Sequence, residues 1–132
     1  MPSPVIDAVS VSARDLATAA QFYGLLGFDF PDITPDMKHL EAETTPGATR
    51  LMIDTHALME ELTGEVPRPS NHAAFALLCD GPAAVDAIAD RVAAAGFVVV
   101  TPPWDAFWGQ RYATLADPGG YRVDLFAPLD AA

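Results

Sequence analysis

Two carboxylates, one arginine and a run of aromatic rings are the side chains of this sequence with chemistry to offer. Asp54 ends the segment RLMID, residues 50–54, and Asp124 sits inside RVDLF, residues 122–126. Each segment opens on an arginine. A carboxylate facing a cleft accepts hydrogen bonds from ligand hydroxyls or amines, and two of them can do acid/base work when a nucleophile or metal supports them. No nucleophile is in view. Cys79, the one cysteine, stands in an apolar stretch and reads as a small buried residue with no base placed beside it. The segment PPWDAFWG, residues 102–109, packs Trp104, Phe107 and Trp108 into five residues. It is expected to be a loop opened by two prolines and closed by Gly109. Rings at this density plug a sheet edge or a dimer interface, or they wall a flat, conjugated ligand. Tyr112 and Phe126 would extend that wall, and Met52 would adapt to an irregular ligand surface or fill core space.

Alternating strands must present these groups. In AVSVS, Val9 and Val11 claim the core, which leaves Ala8 and Ser10 on the opposite face. The same alternation buries Leu51 and Ile53 and leaves Met52, Asp54 and His56 opposite. It buries Phe75 and Leu77 and leaves Ala74 and Ala76. It buries Val123 and Leu125 and leaves Arg122, Asp124 and Phe126. It buries Ala113 and Leu115 and leaves Gln110, Tyr112 and Thr114. This second face mixes small residues, carboxylates, an arginine and rings, which suits a binding cleft on a curved sheet. His39, in the polar stretch KHLEAE, is expected at solvent or at the cleft rim.

Two helices stand between the strands. Asp15 is the expected N-cap of the first, with Leu16, Ala19, Ala20, Tyr23 and Leu26 as its apolar stripe and Gly27 just past its end. Phe22 lies off that stripe. Pro82 opens the second, whose stripe is Val85, Ile88, Ala89, Val92 and Ala95 before Gly96. Strand, helix, Gly-Phe and strand thus occur twice, the first copy ending in GFDF and the second in GFVVV. The pattern predicts an α+β fold of two paired βαβββ modules whose curved mixed sheets surround a cleft. Module one spans residues 1–62, a linker rich in turn formers spans 63–71, and module two spans 72–132.

Composition narrows the partner. The chain has 132 residues, of which 51% are hydrophobic, enough for a real core. No apolar run is long enough to span a membrane, and the N-terminus lacks the basic region of a secretory signal. Eighteen acids against seven bases give a net charge of −11, which repels a phosphate backbone and excludes nucleic acid. A cytoplasmic domain with a small neutral or cationic partner is expected.

The segments DLATAAQFYGLLGF and AAAGFVVVTPPWDAFWGQRYATLADPGGYRVDLFAPL resemble the opening and closing segments of the vicinal oxygen chelate superfamily. That superfamily includes glyoxalase I, extradiol dioxygenases and antibiotic-binding proteins of the bleomycin-resistance type. The resemblance covers nearly the whole chain and implies paired βαβββ modules with a cleft completed in a homodimer. Catalytic members hold a divalent metal with one residue from each of four cleft strands. Those positions fall here on Ala8, Asp54, Ala74 and Asp124. Alanine has no donor atom, and two aspartates are a poor set for zinc, nickel or iron. The resemblance therefore points to the metal-free antibiotic-binding members, with no cofactor and no catalytic residue. The expected function is sequestration of a bulky antibiotic, bleomycin-like or quinone- or enediyne-like, conferring resistance. Asp54 and Asp124 would accept ligand hydrogen bonds or pair with Arg50 and Arg122. Ala8, Ser10, Ala74 and Ala76 would leave room for the guest. The alternative is a glyoxalase-type lyase or isomerase with a displaced metal site at Asp54, Asp124, His56 and His72.

Overall fold

Asp15 caps the first helix as its position after an apolar strand predicts. Its carboxylate accepts from the Ala17 backbone N–H at 3.2 Å and from the Thr18 hydroxyl at 2.7 Å, which satisfies one of the helix's orphan donors and holds its pKa down. The computed structural model describes residues 5–70 and 74–129. The chain divides into two units, residues 1–68 and 69–132. It is an α+β fold with two mixed sheets.

The first unit contains β1 (Ala8–Ala13), α1 (Leu16–Leu25), β2 (His39–Glu41), β3 (Arg50–Thr55) and α2 (His56–Thr63). Its sheet runs β1-β3-β2, with β1 parallel and β2 antiparallel to β3. Val11, Leu40, Leu51 and Ile53 are buried, as are Leu16, Ala19 and Tyr23 of the α1 stripe. Phe22, off that stripe, is fully buried as well, with its ring edge-on to Tyr23 at 5.0 Å.

Two expectations for this unit need correction. The GFDF segment forms no strand. Gly27, at φ 110°, reverses the chain, and the Phe28 N–H returns to the Tyr23 carbonyl at 3.1 Å. Pro31 and Pro35 follow closely and lack the donors a ladder needs. His56 does not continue the β3 alternation beyond Asp54. Thr55 caps α2, accepting from the Leu58 N–H at 3.1 Å, and His56 is the first helical residue. Helix α2 thus occupies the end of the expected module one and the start of the expected linker.

The second unit contains β4 (Phe75–Leu78), α3 (Pro82–Ala94), β5 (Val98–Ala106), β6 (Gln110–Ala116) and β7 (Arg122–Pro128). It is a complete βαβββ module with strand order β4-β7-β6-β5 and β4 parallel to β7. Val85, Ile88, Ala89 and Val92 of α3 are buried, as are Ala113, Leu115, Val123, Leu125 and Ala127 of the sheet. Phe75 and Leu77, expected in this core, are only half-buried on the edge strand β4. The aromatic segment is not a loop throughout. Pro102 to Ala106 belong to β5, and only Phe107, Trp108 and Gly109 form the turn. Prolines fit there because β5 is an edge strand, and its register shifts on either side of Thr101. Gly109, at φ 88°, closes a three-residue hairpin that needs a left-handed residue. No helix among the described residues is long and apolar enough to cross a membrane.

Candidate ligand-binding face

Burial alternates along β7: Val123, Leu125 and Ala127 are buried, and Arg122, Asp124 and Phe126 share the opposite, partly open face. Strand register then sets that face in rows. Leu78, Phe126, Tyr112 and Trp104 are successive cross-strand neighbours over all four strands. Ala76, Asp124, Thr114 and Thr101 make the next row, and Arg122, Ala116 and Val98 the one after. One row is therefore apolar and aromatic, the second small and polar, and the third carries a guanidinium.

The rings of the first row touch in a chain. Trp104 meets Trp108 at 5.5 Å, Trp108 meets Tyr112 at 5.3 Å, and Tyr112 stacks with Phe126 at 6.4 Å. Phe107 packs on Trp108 at 5.0 Å. Edge-to-face geometry suits the ring quadrupoles, so the cluster is preorganised. Its exposure is high for residues of this size: 39% for Trp104, 48% for Trp108 and 92% for Phe107. These rings therefore keep surface for a further partner. The Trp108 indole N–H donates to Gln110 Oε1 at 2.8 Å, which fixes the ring's rotation.

Asp124 anchors the polar row. It accepts from the Tyr112 hydroxyl at 2.6 Å on one oxygen and from the Thr114 hydroxyl at 2.9 Å on the other. The expected pairing with Arg122 does not occur: Thr114 is the direct cross-strand neighbour of Asp124 and Tyr112 a diagonal one, and their hydroxyls take both carboxylate oxygens. Burial and the adjacent carboxylate push the Tyr112 phenol up to about 12. It therefore remains a neutral donor at physiological pH. Cys79, expected as a buried core residue, is only half-buried, and burial pushes its thiol up.

The first unit builds a smaller polar cluster. His39 Nδ1 lies 2.6 Å from Asp54 Oδ1, and the Ser10 hydroxyl donates to Asp54 Oδ2 at 3.0 Å. Only 13% of the Asp54 side chain is exposed, so the two donors offset its desolvation. Arg50, expected as its partner, is held instead by Asp7 at 2.7 Å and Glu41 at 2.9 Å. A carboxylate only accepts, so in this contact His39 Nδ1 carries the proton and donates. Serine and imidazole both point at the carboxylate rather than at each other. No base activates Ser10, and the trio is no nucleophilic triad. His39 was not among the expected site residues. Its signal was the alternation of HLE, in which buried Leu40 puts His39 on the Asp54 side.

The residues described do not fit the divalent metal that the resemblance implies. Ala8 and Ala74 offer no donor atom. The oxygens of Asp54 and Asp124 are already hydrogen-bonded within their own units. Among the described residues no group of three or more His, Cys, Asp and Glu side chains is placed to hold an ion. His56 has moved onto α2, and His72 lies outside the described residues. Of the remaining expected site residues, Met52 is half-buried beside Glu41 in register, Ala8 pairs with Arg50, Ala76 is exposed opposite Asp124, and Ala74 is exposed just before β4.

The family model of the glyoxalase/bleomycin resistance protein/dioxygenase superfamily matches residues 5–125. No curated protein matches the chain. Among solved structures, a glyoxalase/bleomycin resistance protein/dioxygenase from Nocardioides is 24% identical, with 100% of this chain and 88% of that one covered at a TM-score of 0.73. A glyoxalase-related enzyme from Fulvimarina pelagi is 21% identical, with 96% and 93% covered at 0.78. A lactoylglutathione lyase from Agrobacterium tumefaciens is 20% identical, with 96% and 95% covered at 0.69. At these identities the likeness concerns the fold.

Proposed function

The chain belongs to the glyoxalase/bleomycin resistance protein/dioxygenase superfamily, and on that footing we propose that it binds and sequesters a bulky, flat small molecule without catalysis. The ligand class we infer is a natural-product antibiotic, bleomycin-like or quinone- or enediyne-like, and the role is resistance in the cytoplasm. One observation carries this: a contiguous chain of partly open rings, Trp104, Trp108, Tyr112 and Phe126, borders a polar row centred on Asp124. Such a face offers stacking area, hydrogen-bonding hydroxyls and small neighbours, which is what sequestration needs. Binding requires no electrophile, so alanine at two metal positions is no handicap. The test is a thermal-shift panel of flat natural products on protein treated with a chelator. Stabilisation by at least one compound is expected; no shift across the panel removes the proposal.

A second reading, a metal-dependent lyase or isomerase with a displaced site, draws on the His39–Asp54 pair, in which a carboxylate orients an imidazole. We extend the first proposal to a homodimer that completes the cleft, since closed two-fold pairing is the commonest soluble assembly. Light scattering should give twice the 14.0 kDa chain mass; a single-chain mass at micromolar concentration contradicts a shared cleft.

A further inference from the structure

We propose that Arg122 is the anion-recognition point of this face, so that the ligand is a flat conjugated molecule bearing an oxyanion such as a carboxylate. This rests on the ring face being the ligand site. The chain has 18 acids for seven bases, and its well-placed arginines are claimed by carboxylates: Arg50 by Asp7 and Glu41, Arg111 by Asp86 and Asp105. Among the described residues no carboxylate forms an ion pair with Arg122. The acid next along its own face, Asp124, has both oxygens occupied by Tyr112 and Thr114. Arg122 is nevertheless half-buried, and its cross-strand neighbour Ala116 carries only a methyl. A half-buried arginine with no carboxylate partner keeps its guanidinium available for an incoming acceptor. Its planar fork suits a carboxylate bidentately.

Geometry sets the ligand's outline. Arg122 and Phe126 lie four residues apart on one strand, about 13 Å between Cα atoms at the usual rise. The ring system lies over the Phe126–Tyr112–Trp104 row, and the oxyanion reaches back past Asp124 to Arg122. Between the two ligand types above, this selects a flat quinone- or enediyne-like molecule that carries an oxyanion over a bleomycin-like one. The net charge of −11 does not forbid it. Its field is screened beyond about 8 Å at physiological ionic strength, whereas the guanidinium acts in contact.

Two fluorescent probes separate the contributions: 8-anilinonaphthalene-1-sulfonate, a flat anion, and N-phenyl-1-naphthylamine, its uncharged counterpart. Arg122→Gln should weaken the sulfonate about tenfold and leave the amine within about twofold. Trp108→Ala should weaken both together. On unmodified protein, naphthalene-2-carboxylate should displace the sulfonate at least about tenfold better than naphthalene-2-carboxamide, which keeps the test valid if a variant fails to fold. Equal displacement by acid and amide, or equal effects of Arg122→Gln on both probes, overturns the role of Arg122. Loss of effect of Trp108→Ala on both probes instead overturns the ring face itself.

Discussion

Trp108→Ala should weaken a ligand seated on the ring face by a factor of about 5 to 150, or about 1 to 3 kcal/mol, the usual worth of one stacking ring. Trp108 is the centre of the ring chain, touching Trp104, Phe107 and Tyr112. It sits in the hairpin turn, half exposed, so its loss opens no cavity in the core. The midpoint of chemical unfolding should therefore hardly move. Tryptophan fluorescence titration reads the binding, with Trp104 remaining as reporter. A Trp108→Ala protein that binds normally would contradict a stacking role. One that binds normally but falls to single chains would assign the rings to the dimer interface.

Leu125→Ala should do the reverse, with the largest expected cost in stability. Leu125 is fully buried on β7, paired with Leu77 on one side and Ala113 on the other, on the face that alternates away from Asp124. Truncating a buried leucine costs about 2 to 5 kcal/mol, the lost transfer energy plus the cavity. Urea denaturation should show that loss in the midpoint. A loss below about 1 kcal/mol would mean that the site collapses without a cavity and that the assigned core face is wrong.

Period-two patterning made the second unit legible. It separated Val123 and Leu125 from Arg122, Asp124 and Phe126, and the Asp15 cap and the helix-opening Pro82 marked both long helices. Pairing across strands was not legible. Alternation puts Asp124 on a face but does not say that Thr114 lies opposite it with Tyr112 on the diagonal, so arginine looked like its partner. The same limit hid His39, which antiparallel register brings to Asp54 from a distant segment. Local signals competed at His56, where β alternation ran on through Thr55 although Thr55 is also an N-cap. At PPWDA the two prolines read as a loop, because a strand at a sheet edge tolerates prolines that an inner strand would not.

The central claim is that a flat ligand is held by rings and hydroxyls with no metal, and the chelator-treated thermal-shift panel tests it most directly. Elemental analysis first confirms that the protein is stripped of divalent ions. A ligand at about a hundred times its Kd should then stabilise the fold by about 2.7 kcal/mol. Adding one equivalent of zinc or nickel should leave that shift unchanged. A shift that is absent from stripped protein and restored by one equivalent of metal would contradict the account and favour the metal-dependent lyase or isomerase.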